Sequence, residues 1–123
     1  LQMQSVSGCG SHGGGLVVNT TCPARRGLLF ARKGKWGDQQ LISSRWTDMI
    51  QTPTPANASY GYMWWLNQGA RQWKGVPDHL YYAAGFGGNF IVVDEEEDLV
   101  IVTRWLEPRE IGEMVRKVYA GLK

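Results

Sequence analysis

The chain has 123 residues, 43% of them hydrophobic and 20% charged, with a formal net charge of +2. That length suits one domain with a modest core, and the balance excludes wholesale disorder. It also counts against a nucleic-acid partner, because Arg25, Arg26, Arg32, Lys33 and Lys35 read as a solvated helix face and exit turn rather than a basic groove.

No apolar run reaches the length of a membrane span, and the opening LQMQSVSG lacks the basic-then-apolar pattern of a secretory signal. The chain therefore reads as soluble, with the compartment open. Because it begins with Leu1 rather than Met, a fragment or a processed product is expected. The two cysteines, Cys9 and Cys22, permit a disulfide without requiring one.

Residues 1–15 are rich in Gly and Ser and read as loop. Asn19 or Thr20 is placed to cap a helix from about Thr21 to Arg32, with Pro23 tolerated in the first turn and Gly34 as the stop. Leu28 and Leu29, with Ala24 and Ala31, form its expected buried side. Lys35–Gln40 reads as a turn. Ser43 or Ser44 then caps a second helix whose apolar face is Trp46, Met49 and Ile50. The loop Thr52–Ser59, TPTPANAS, is the clearest break, dividing a loop and helical part (1–52) from a sheet with a C-terminal helix (60–123) within one domain.

Tyr60–Asn67 is a strand candidate by aromatic enrichment, and Gln68–Asp78 a polar loop. Leu80–Ala84 is a third apolar run leading into Gly85, Gly87 and Gly88. Asn89–Val93 and Leu99–Trp105 flank the acidic tip Asp94–Asp98 as a β-hairpin. The last element is a helix with Pro108 in its first turn and an apolar stripe of Ile111, Met114, Val115, Val118, Tyr119 and Leu122. The predicted class is α+β: an antiparallel sheet of three to four strands, the C-terminal helix packed on it, and two helices from the first half.

Few residues offer chemistry by themselves. His12-Gly13-Gly14-Gly15 matches an oxyanion-donor string of some α/β-hydrolases, yet no G-x-S-x-G accompanies it, so it reads as structural punctuation. Cys9, His12, Cys22 and His79 lack a second close pair, so no metal site is expected. Asp94–Asp98 lacks the alternating ligands and the glycine of a calcium loop and reads as a solvated turn. S-x-x-K does not occur, and neither His has an acid partner evident in the sequence. No cofactor is implied.

In order, the segments GGGLVVNT, ARRGLLFARKGKW, GDQQLISSRWTDMI, SYGYMWWLN, GVP and YYAAGFGGNFIVVDEEEDLVIVTRW resemble the C-terminal half of the serine β-lactamase and penicillin-binding-protein superfamily, nearest its class C-like esterases. The resemblance covers nearly all of residues 13–106. It implies a partial β-lactamase-like (transpeptidase-like) fold and a hydrolase whose S-x-x-K serine and tyrosine elements are not in this sequence.

The family's K-T-G element maps onto Ala83-Ala84-Gly85. Neither alanine can donate a hydrogen bond to a substrate carboxylate, which counts against a penicillin-type substrate. The resemblance implies an oxyanion-hole N–H from Phe86, and a pocket wall of Ala83, Ala84, Gly85, Phe86 and Gly87, where side chains at Gly85 and Gly87 would crowd an acyl group. Trp64, Trp65, Tyr81 and Tyr82 alternate across the sheet, so about half could line an apolar cleft. The substrate would be a small ester or amide, acted on only by the complete enzyme. The family's two N-terminal strands are absent too, so strand Leu99–Trp105 is expected to have an open edge, filled by a homodimer or by a complementary N-terminal half. A stand-alone binding or assembly module derived from such a hydrolase is the alternative.

Overall fold

The computed structural model describes residues 19–122. The first helix, α1 (Thr21–Ala31), is capped by the Asn19 side chain, whose Oδ1 accepts from Cys22 N–H at 3.2 Å. It ends in a Schellman-type turn, with Gly34 N–H donating to Leu29 O and Lys33 N–H to Phe30 O. Gly34 has φ +79, and a Cβ there would lie 2.0 Å from Ile42 O, so glycine is required at this stop. Lys35–Gln40, read from sequence as a turn, is a small hairpin of β1 (Lys35–Trp36) and β2 (Gln39–Gln40). Helix α2 (Ser44–Met49) is capped by Ser43, whose hydroxyl accepts from Trp46 N–H.

The main sheet is an antiparallel meander of five strands: β3 (Tyr60–Gly61), β4 (Trp64–Leu66), β5 (Tyr81–Gly85), β6 (Asn89–Asp94) and β7 (Leu99–Thr103). The α+β class and the antiparallel sheet agree with the sequence, while the strand number rises from three or four to five. The extra strand arises because Tyr60–Asn67 is not one strand. It folds back at Tyr62 and Met63, which take positive φ (34 and 76) although neither is Gly or Asn. Gly61 just before it is the one turn-type residue at the fold-back.

Alternation along the strands sends successive side chains to two cores. On one face Tyr81, Val93, Trp64 and Leu66 pack with Phe30 and Ala31 of α1 and with Ile50. On the other, Tyr82, Phe90, Val92 and Ile101 pack with Leu80, Trp73 and the C-terminal helix α3 (Ile111–Gly121) through Ile111 and Val115. Val93 and Val115 are fully enclosed, and burial of each such side chain contributes about 1.5–3 kcal/mol.

Three helix faces differ in detail from the periodicity reading. In α1 the buried residues are Gly27, Phe30 and Ala31, while Ala24, Leu28 and Leu29 are half-buried. The helix lies so close to the sheet that a Cβ on Gly27 would sit 2.4 Å from Val100 Cγ1. In α2, Thr47 faces inward ahead of Ile50, whereas Trp46 turns outward and meets the Tyr62 ring at a 60° tilt, with centroids 5.5 Å apart. In α3, Met114 is exposed, as is Leu122 just past its end, so the buried part of the stripe is Ile111 and Val115. No helix among the described residues is long and apolar enough to cross a membrane.

Candidate functional site

The two ends of the β5–β6–β7 ladder differ chemically. At one end lies the acidic run, in which Glu96, Glu97 and Asp98 are exposed as a solvated turn requires, while Glu95 is half-buried and Asp94 buried. Asp94 is 1% exposed. Its carboxylate accepts from His79 Nε2 (2.9 Å), from Glu96 N–H (2.8 Å) and Glu97 N–H (3.1 Å), and from the Tyr119 hydroxyl. Burial alone would raise this carboxyl. Hydrogen bonds from Tyr119, His79 and the Glu97 N–H outweigh burial and hold its pKa below the ordinary 3.8. Burial, then the Asp94 carboxylate, pushes the Tyr119 phenol up. His79 thus has an acid partner 15 residues along the chain, a pairing its sequence neighbours do not reveal.

The rest of the tip is tied to the end of α1. Arg32 grips Asp98 with Nε and Nη2 (3.1 and 2.9 Å), and Lys33 bridges Asp48 (2.9 Å) and Glu95 (3.4 Å). Glu95 also accepts from Gln51 Nε2 and the Tyr81 hydroxyl. Arg32 and Lys33 therefore belong to an electrostatic clasp rather than to an unengaged basic face.

The opposite end holds the glycines and all five residues of the expected pocket wall. Ala83 is half-buried against the α1-side core, Ala84 is exposed on the α3 side, Gly85 ends the strand, and Phe86 is 98% exposed at the turn. Phe86 O accepts from Asn89 Nδ2 at 2.6 Å, which orients the turn. Gly87 and Gly88 have φ +76 and +71. A Cβ on Gly87 would lie 2.4 Å from the Trp105 ring, and one on Gly88 1.6 Å from Leu106 O. Both glycines are thus demanded by the chain's own bend.

Gly85 is different. A Cβ there would meet only Asn89 atoms, at an ordinary 3.6 Å. Within the described residues no packing reason for glycine exists at this position. Its surroundings are open as well, because β4 pairs with β5 only at Tyr81 and Tyr82, while β6 pairs with all of Tyr81–Gly85. From Ala83 to Gly85 one backbone edge of β5 has no neighbouring strand among the described residues. Such an edge can hydrogen-bond an extended ligand.

Beside Ala84 on the α3 face opens a cavity of about 340 Å3. Trp65, Trp73, Tyr82 and Phe90 form its aromatic wall, and Gln72 contributes a carboxamide. As alternation requires, Trp65 and Tyr82 face this side while Trp64 and Tyr81 face α1. The sequence reading did not single out Trp73 or Gln72. Both sit in the loop after β4 and are brought in by Asn67, which is fully buried and accepts from Trp73 N–H (2.8 Å) and Gln72 N–H (3.2 Å). No group of three His, Cys, Asp or Glu side chains suited to a metal occurs among the described residues. His12, the adjoining glycines and any Cys9–Cys22 pairing lie outside the described residues.

An antiparallel meander with helices on both faces and a C-terminal helix closing one of them is part of a β-lactamase-like fold. A similar solved structure is described as "Putative 6-aminohexanoate-dimer hydrolase from Bacillus anthracis", with a TM-score of 0.63, 19% identity and 88% of this chain covered. The chain spans 29% of the length of that protein. At this identity the likeness shows the fold. No family model matches the chain. No curated protein matches it.

Proposed function

We propose that this chain is the C-terminal portion of a β-lactamase-like serine hydrolase or esterase. In this reading Ala83–Gly87 is one wall of the acyl pocket and Phe86 N–H is one oxyanion donor. The observation that supports the reading is Gly85, where a Cβ would make only ordinary contact with Asn89, on the side of β5 that no described strand pairs. The substrate is a small ester or amide without a carboxylate at the Ala83–Ala84 position, since neither side chain can bond one. The activated serine and its lysine come from elsewhere, so the chain alone is inactive.

The far edge of β7 supplies the second half of the proposal. Within Leu99–Thr103 there is no charge, proline or glycine, and β7 pairs with β6 alone among the described residues. An uncharged edge of β-formers is sticky unless covered. A strand from a complementary N-terminal half covers it in the hydrolase reading. In the alternative, a stand-alone binding module descended from such a hydrolase, the cover is the same edge of a second copy.

The test joins this chain to an N-terminal half bearing S-x-x-K and follows ester hydrolysis. Phe86→Pro removes the proposed donor and is expected to lower kcat by about 10²–10³ with little change in KM. Phe86→Ala keeps the N–H and should leave kcat near that of the parent. Equal kcat for the proline variant would sink the assignment of Phe86.

A further inference from the structure

The cavity beside Ala84 is a cleft between α3 and the sheet that opens widely to solvent. Its volume of about 340 Å3 is at the lower end of ligand sites, roughly 300–1,000 Å3, which combine apolar walls with a few placed polar groups. None of its lining side chains is charged. The Tyr82 phenol, pushed up to about 12 by burial, stays neutral and donates to Gln72 Oε1 at 3.3 Å.

The wall is also held in place. Trp73 stacks on Tyr82 with centroids 4.3 Å apart, and Trp65 stacks on the same ring at 6.4 Å. Asn67 fixes the Trp73 backbone, donating to Trp73 O at 3.2 Å as well as accepting from its N–H. Gly112 lets α3 approach, since a Cβ there would come within 3.0 Å of Trp73 Cδ1. These rings are therefore preorganised, and ordering them adds little cost on binding.

We infer that this cavity is a binding site for an uncharged aromatic group. The inference rests on the hydrolase reading for what the group belongs to: the acyl or leaving portion of an ester or amide whose reacting carbon lies by Gly85 and Phe86. Ala84 joins the two regions, since it lies on the strand that carries Gly85 and also lines the cavity. A charged group is rejected because it would leave water for apolar walls with no counter-charge. A ring gains stacking surface on the tryptophans.

The test uses the chain itself, with 2-naphthol as the neutral probe and 2-naphthoate as its anionic counterpart. Indole Nε1–H signals of Trp65 and Trp73 are followed by NMR during titration. Saturable shifts at both with 2-naphthol are expected, with 2-naphthoate about tenfold weaker or worse. Ala84→Leu, a change at an exposed position, should weaken 2-naphthol about tenfold while the rest of the spectrum stays unchanged.

No saturable shift at Trp65 and Trp73, equal affinity for the two probes, or indifference to Ala84→Leu would each overturn the inference. Its failure is separable from that of the hydrolase reading. If the joined enzyme shows the Phe86→Pro loss but the chain ignores 2-naphthol, the cavity assignment falls and the hydrolase reading stands. Binding of 2-naphthol with no effect of Phe86→Pro gives the converse.

Discussion

The two ends of the β5–β6–β7 ladder share strands but not design. At the acidic end, each of the carboxylates Asp94, Glu95 and Asp98 has found a donor, and the buried Asp94 has four. At the glycine end, Phe86 and Trp105 stand 98% and 72% exposed, one strand edge is open, and one glycine has no packing role. A fold that satisfies one end so fully and leaves the other bare concentrates its stability at the first. The second keeps an open backbone edge from Ala83 to Gly85 among the described residues.

The comparison breaks most visibly at the glycines themselves. Gly88→Ala places a methyl against Leu106 O at positive φ, and should cost about 3 kcal/mol or more, or abolish folding. Thermal melting or urea titration reads this directly. If Gly88→Ala is tolerated, the bend is not set by this close approach.

Next comes Asp94→Ala, which strands the His79 and Tyr119 donors and two N–H groups in a buried site. A loss of about 2–4 kcal/mol is expected in urea unfolding, with Asp94→Asn milder because an oxygen acceptor remains.

The same carboxylate gives a pH signature. Its folded pKa is depressed, so its contribution is complete above its unfolded value near 3.8 and is lost as pH falls through the lower folded value. The stability gap between the parent and Asp94→Asn should therefore be constant near neutrality and narrow below about pH 4. Tyr81 and Tyr119 have raised pKa values, so theirs is present below the unfolded value of 10.0 and is lost as pH rises beyond it.

The smallest effect is the most informative. Gly85→Ala should change stability by no more than about 0.5 kcal/mol, because its Cβ has room. In an enzyme completed by an S-x-x-K half, the same change should depress hydrolysis. A large destabilisation would assign Gly85 to the bend with its neighbours.

Much of this was legible from sequence, and the failures have a common cause. The helices and the β6–β7 hairpin follow from caps, periodicity and β-branched runs, whereas the residues of the open end are named by the family resemblance alone. The fold-back at Tyr62–Met63 does not follow from such patterns, because neither residue type is one that favours the positive φ both adopt. Asp94 was read with its acidic neighbours as solvated, since its donors, His79 and Tyr119, come from distant positions. Trp73 and Gln72 were hidden in a polar loop whose order depends on one buried asparagine. Sequence patterns report on neighbours along the chain, and these features depend on neighbours across it.

The central claim is that the open end is a wall of a hydrolase site whose nucleophile lies outside this chain. Intact-mass analysis after incubation with an excess of a fluorophosphonate tests it most directly. The isolated chain should emerge without an adduct, whereas the same chain joined to an S-x-x-K half should carry one on the serine of that half. A stoichiometric adduct on a serine of the isolated chain would contradict the account.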